Sequence, residues 1–134
     1  MMVEREQQEL NLYVGMRPTN SNPGQPCNVR VYRTGQSYYD ELFTVAEDRS
    51  KAPVRIEWGY SGEGPGDLAF SLLCDLLPIP EARRYWGSFL HEIVSELPRR
   101  VDMDRDSDFV DEWTLSGKQI WEWLDEAQER EQRG

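Results

Sequence analysis

Between Asp67 and Leu77 the chain offers only three polar side chains, Asp67, Ser71 and Asp75, and they fall four residues apart. Everything else in this stretch is apolar: Leu68, Leu72 and Leu76 make one helical stripe, Ala69 and Leu73 a second, Phe70, Cys74 and Leu77 a third. A helix apolar nearly all round cannot lie on a surface, so the rest of the domain must be built around it. Pro65 suits its first turn, and Pro78 and Pro80 end it. The next helix is predicted over about 81–97, with Tyr85, Phe89, Ile93 and Leu97 at i+4 spacing and Pro98 as its stop. A third is predicted near the C-terminus. Ser116 and Gln119 form a capping box, and Ile120, Trp123, Leu124 and Ala127 form its buried face.

What covers the central helix is read from period-two segments. "LNLYVGMR" sets Leu10, Leu12, Val14 and Met16 against Asn11, Tyr13 and Gly15. "VRVYRTG" at 29–35 is a second strand, "LFTV" at 42–45 a short edge strand, and "VRIEWGY" at 54–60 the clearest alternation of all. Residues 18–28 carry breakers throughout and read as a loop. The polar ends, 1–9 and 128–134, are expected to fray. The sum is an α+β fold in one domain, 1–134: an antiparallel sheet of three to four strands with about three helices on one face.

Charge narrows the function classes. The net charge is −10, from 25 acidic and 15 basic residues. Residues 101–134 carry 11 of the acidic and 4 of the basic side chains, a net of −7, leaving −3 for residues 1–100. Such a chain repels nucleic acid and anionic membranes, whose affinity comes from Lys and Arg. No apolar run is long enough for a membrane span, and the first ten residues lack the apolar core of a signal peptide, so a cytoplasmic protein is expected. Cys27 and Cys74 are too few and too far apart for a disulfide framework or a metal quartet; Cys74 reads as a small apolar side chain on the central helix.

The stretch "EWGYSGEGPGDLAFSLLCDLL", residues 57–77, places Gly59, Gly62, Gly64 and Gly66 around Pro65 at the mouth of that helix. A dinucleotide fingerprint needs G-x-G-x-x-G; here the pattern is G-x-G-x-G followed by Asp67. Pro65 lacks an N–H, no Lys follows, and Glu63 and Asp67 repel phosphate, so a P-loop is excluded. The glycines serve a tight turn or a close approach by another segment of the chain, or else a close approach of the backbone to a ligand. In the second case the binding residues are Trp58, Gly59, Tyr60, Ser61, Gly62, Gly64 and Asp67, with the two aromatic rings stacking on a planar, nucleotide-like molecule. Arg17, Arg30, Arg33 or Arg55 would then supply positive charge. Ser61 is not a nucleophile elbow, because Glu63 stands where glycine is required. His91 falls on the polar face of its helix with Arg84 and Ser88, and no catalytic residue is assigned.

"DMDRDSDFVDEW" spaces Asp102, Asp104, Asp106 and Asp108 like a calcium loop, but Ser107 replaces the sixth-position glycine and Trp113 the twelfth-position glutamate. No metal or other cofactor is expected. With Asp111 and Glu112 these carboxylates form an acidic patch suited to a basic protein partner.

Trp58, Gly59, Tyr60, Gly62, Gly64, Pro65, Leu68 and Ala69 resemble the motif W-G-Y-G-G-S-G-P-x-x-L-A of an uncharacterised family of small domains from bacteria, haloarchaea and their phages. Ser61 and Glu63 depart from it. "LYVGMR" and "WTLSGKQIWEWL" are similar to the family's first strand and last helix. The resemblance implies no reaction; it implies an accessory role on phages or mobile elements, with anti-defence as a candidate. Two readings result. One is a non-enzymatic protein that binds a host protein through its acidic surface. The other is a small-ligand binder at the Gly-rich loop.

Overall fold

A computed structural model describes residues 2–16, 27–46, 55–98 and 112–133. The chain runs α1 (Met2–Glu9), β1 (Leu12–Met16), β2 (Asn28–Tyr32), β3 (Asp40–Glu41), α2 (Glu63–Leu76), α3 (Ile79–Glu92), a 3-10 turn (Val94–Glu96), β4 (Glu112–Ser116) and α4 (Gly117–Arg133). The strands form one antiparallel sheet in the order β3-β2-β1-β4. The α+β class and the small antiparallel sheet are therefore as the sequence predicts.

The central helix is where its composition demands. Leu68, Ala69, Leu72 and Leu73 of α2 are fully buried, with Phe70 almost so. Asp67 and Ser71 are its buried polar residues, and the Ser71 hydroxyl both donates to the Val45 carbonyl at 3.1 Å and accepts from the Val45 N–H at 2.9 Å. That pair of bonds satisfies the buried hydroxyl and ties the 42–46 segment to the helix. α3 packs on α2 through a close approach at Gly66, where an added methyl would stand 3.2 Å from the Trp86 ring. α4 closes the core with Ile120, Trp123, Leu124 and Ala127, and Trp123 meets Phe89 edge to face with centroids 5.1 Å apart. Its capping box forms in both directions: the Gln119 N–H donates to Ser116 Oγ at 3.0 Å, and the Ser116 N–H donates to Gln119 Oε1 at 2.8 Å.

Five details differ from expectation. Residues 55–58 form no ladder, although Ile56 and Trp58 do alternate inward. They are held by side-chain burial, and Gly59 N–H donates to the Val94 carbonyl at 3.0 Å. The fourth strand is instead Glu112–Ser116, which pairs with β1, and the short edge strand is Asp40–Glu41 rather than 42–45. The N-terminal segment, expected to fray, forms α1 and docks on α4: Arg5 donates to Asp125 at 2.7 Å and lies 4.4 Å from the Trp121 ring centroid, while the Trp121 indole N–H donates to Gln8. The C-terminal segment stays helical to Arg133, held by Arg84 and Tyr85, which both donate to Glu131. The predicted 18–28 loop lies outside the described residues except for Cys27 and Asn28.

The phase of β1 completes the architecture. Tyr13 and Gly15 face the helices, and Leu12, Val14 and Met16 face away from them. Trp113 of β4 lies across Gly15 in the paired register, so the glycine makes room for an indole in the core layer.

Candidate functional site

The Gly-rich loop is filled by its own chain. Gly59 adopts a φ of 87°, which only glycine takes readily, and turns the chain after Trp58. Gly62 precedes α2 in an extended conformation, and a methyl there would stand 2.8 Å from the Tyr60 ring. At Gly64 a methyl would stand 2.9 Å from the Glu57 Cβ and 3.0 Å from the Arg55 carbonyl. At Gly62 and Gly64 the close approach is to a residue of the loop or of the segment feeding it, and at Gly66 it is to Trp86 of α3. Trp58 corrects the stacking expectation: it is 0% exposed and meets Trp113 edge to face with centroids 5.5 Å apart. It packs the interior and does not face solvent. Asp67 and Pro65 are buried in the first turns of α2, whereas Tyr60, Ser61 and Gly62 are exposed.

Two of the arginines suggested for this loop, Arg33 and Arg30, are placed elsewhere. Arg33 grips the far end of α2: its Nη2 and Nη1 donate to the two Asp75 oxygens at 2.8 and 3.1 Å, and its Nε donates to Asp40 at 3.0 Å. Eight helical residues, about 12 Å, separate Asp75 from Asp67. The Tyr13 hydroxyl donates to Asp75 at 2.6 Å and accepts from Asn11 at 3.4 Å. Burial, then the Asp75 charge, push the Tyr13 phenol well above the usual tyrosine range. This network joins β1, β2, β3 and α2, and nothing in the local sequence of any one element announces it. Arg30 lies on the opposite face of the sheet, 4.4 Å from the Tyr39 ring centroid. Arg55 is exposed next to the loop, and Arg17 lies outside the described residues.

The carboxylates Asp102, Asp104, Asp106, Asp108 and Asp111 also lie outside the described residues. Glu112 is exposed at the start of β4, paired with Met16. His91 is exposed, as its helix face predicts. Cys74 is half-buried, and burial raises its thiol pKa. Among the described residues no three His, Cys, Asp or Glu side chains come together as a metal site, and no helix is long and apolar enough to cross a membrane.

A surface that the sequence reading missed lies on the side of the sheet away from the helices. Antiparallel register puts Leu12 beside Tyr32, Val14 beside Arg30, and Arg30 beside Glu41. Leu12 is 38%, Tyr32 40% and Tyr39 37% exposed. The Tyr32 and Tyr39 rings lie 5.8 Å apart and tilted by 53°. Beside them, Tyr38, Gln36 and Ser37 line an open depression of about 310 Å³. The signal was present in the sequence as the apolar row Leu12, Val14, Met16. A one-residue phase decides whether such a row faces core or solvent, and the bulk of Trp113 over Gly15 sets that phase.

The architecture defines a small α+β domain with one sheet face left open among the described residues. The chain belongs to a family of unknown function (DUF6166), whose model matches residues 13–126. No curated protein and no solved structure matches the chain.

Proposed function

We propose that this protein is a non-enzymatic interaction protein that binds a host protein, and that the open face of its sheet is the contact surface. The observation that carries the reading is the phase of β1. A central strand that turns Leu12, Val14 and Met16 away from the helices, next to exposed Tyr32 and Tyr39, presents apolar and aromatic side chains where an antiparallel sheet ordinarily presents polar ones. Tyr and Arg are the residues that dominate binding energy at interfaces. The net charge of −7 over residues 101–134 supports a basic partner, steered by long-range attraction. The resemblance of the W-G-Y segment to a motif found on phages and mobile elements supports an accessory, anti-defence role.

The alternative, a nucleotide-like ligand at the Gly-rich loop, would rest on Tyr60, Ser61 and Gly62, since Trp58 is enclosed. The open face has the larger exposed aromatic area and is the reading preferred.

The test is affinity capture from host lysate with three baits: the wild-type chain, Leu12→Glu, and the triple charge reversal Asp104→Lys, Asp106→Lys, Asp108→Lys. Partners lost from the Leu12→Glu bait support the open face, and partners lost only from the charge reversal move the contact to the acidic segment. Identical retention on all three baits contradicts the proposal.

A further inference from the structure

We infer that the outer edge of β4 pairs with the same edge of a second copy of this chain, giving a two-fold dimer with one continuous sheet. This goes beyond the contact with a host protein and does not depend on it. Among the described residues β4 is an end strand of the sheet, with β1 as its one neighbour. Alternate residues of an antiparallel strand send their N–H and C=O groups to opposite sides. The Gly117 N–H donates to the Asn11 carbonyl at 2.8 Å, one step past the Leu12–Ser116 pair. That phase assigns the main-chain groups of Trp113 and Leu115 to β1 and turns those of Glu112, Thr114 and Ser116 outward. Ser116 agrees with it, since its N–H is bonded to Gln119 Oε1 at 2.8 Å within the capping box. The outward N–H groups left to pair are those of Glu112 and Thr114.

The two ends of the sheet are finished differently. β3 is two residues long and both are acidic, which blunts an edge. β4 runs five residues in unbroken register with β1 and carries no proline, lysine or bulge, so its edge is a template for another strand. The register selects a second copy as that strand. A two-fold axis at Trp113, normal to the sheet, sets Glu112 of each copy opposite Thr114 of the other. Each such pair exchanges both main-chain bonds, so the unpaired groups of one edge match those of the other. An axis at Thr114 would instead set Glu112 against Ser116, whose N–H is already bonded in the cap. A flexible peptide would have to be ordered along this short edge, whereas a second β4 arrives already extended and held in a sheet. The Glu112 and Thr114 side chains share the open face with Met16 and Val14, so the dimer joins two open faces into one. It also brings the two Glu112 carboxylates onto a diagonal of about 7–8 Å, so like charge opposes pairing and added salt favours it.

Sedimentation velocity of the full chain over about a hundredfold range of concentration tests this. The expected result is a monomer–dimer equilibrium that tightens with added salt. Thr114→Pro removes an outward N–H and leaves the bonds to β1 in place, a change that edge strands tolerate, and it should abolish the dimer. Circular dichroism checks that this variant folds. If it does not, two milder changes decide. Thr114→Glu sets like charges directly opposite and should weaken the dimer several-fold, whereas Thr114→Lys sets opposite charges there and should tighten it several-fold. Leu12→Glu lies on the open face away from this edge and should leave the dimer unchanged. A chain that stays monomeric throughout, a dimer that persists in Thr114→Pro, shifts of the same sign in the Glu and Lys variants, or a dimer lost on Leu12→Glu overturns the inference. The last result would place the two copies face to face. A dimer that survives Leu12→Glu while captured partners are lost supports both the edge pairing and the open-face reading.

Discussion

Gly15 of β1 lies directly beneath the indole of Trp113 of β4, so that any Cβ at position 15 would overlap the ring. This pair seats the largest side chain of β4 in the core layer, edge to face with Trp58. It also fixes which way β1 faces, and so turns Leu12, Val14 and Met16 to the open side.

Gly15→Ala is expected to destabilise the fold by about 1–3 kcal/mol, because a close-packed neighbour must move. Gly87→Ala, in mid-helix with nothing within 4 Å of the added methyl, is expected to stabilise it by about 0.5–1 kcal/mol. Urea denaturation of the two variants against wild type checks both signs. Equal shifts in the same direction would show that the packing at Gly15 is looser than described.

Gly117 opens α4 against the end of α1, where an added methyl would overlap the Gln8 carbonyl. Gly117→Ala should therefore unseat α1 and spare the sheet. Hydrogen exchange reads this directly: amides 4–9 lose protection in the variant, and those of β1 and β2 keep theirs. Unchanged protection at 4–9 would place the docking energy elsewhere.

Tyr13 gives the fold an alkaline limit. Its folded pKa is raised above the ordinary value of 10.0 by burial and by Asp75, so the folded chain holds a proton that the unfolded chain releases. The contribution is fully present below pH 10 and is lost as pH rises through the range above it. Tyr13→Phe should flatten this alkaline arm while costing about 1 kcal/mol at neutral pH for the lost hydrogen bond to Asp75. Denaturation midpoints from pH 8 to pH 11 decide the matter, and an arm of the same slope in the variant would assign it to another group.

The loop at 59–66 separates architecture from binding by a paired substitution. Trp58→Ala is expected to cost about 3–5 kcal/mol, since it empties a fully buried site. Tyr60→Ala, on a half-exposed side chain, should change stability by less than about 1 kcal/mol. A Trp58→Ala chain as stable as wild type would contradict the packing role.

The parts of this fold that were legible in the sequence are those with strong local signals. The all-round apolar composition of α2 placed it at the centre, and Ser116 with Gln119 marked the start of α4. The parts that were not legible depend on partners distant in sequence. α1 docks by polar and cation–π contacts of Arg5 and Gln8 with Trp121 and Asp125, so it carries no apolar stripe to read. β4 alternates Trp113 and Leu115 inward over only five residues, immediately before a capping box that draws them toward a helix. Residues 55–58 show the opposite case. Their alternation is real and their burial follows it, but alternation reports burial and does not supply a neighbouring strand. The aromatic pair Tyr32 and Tyr39 comes together only through the turn at 33–36, where Gly35 takes a φ of 86°.

Hydroxyl-radical footprinting of the chain, free and in complex with the partners it captures, tests the central claim most directly. Side-chain oxidation reports exposure residue by residue, independently of what the partner is. If the open sheet face is the contact surface, oxidation at Met16, Tyr32 and Tyr39 falls on binding and oxidation at Tyr60 does not. Protection of Tyr60 with no change at Tyr32 and Tyr39 would contradict the account and return the function to the Gly-rich loop.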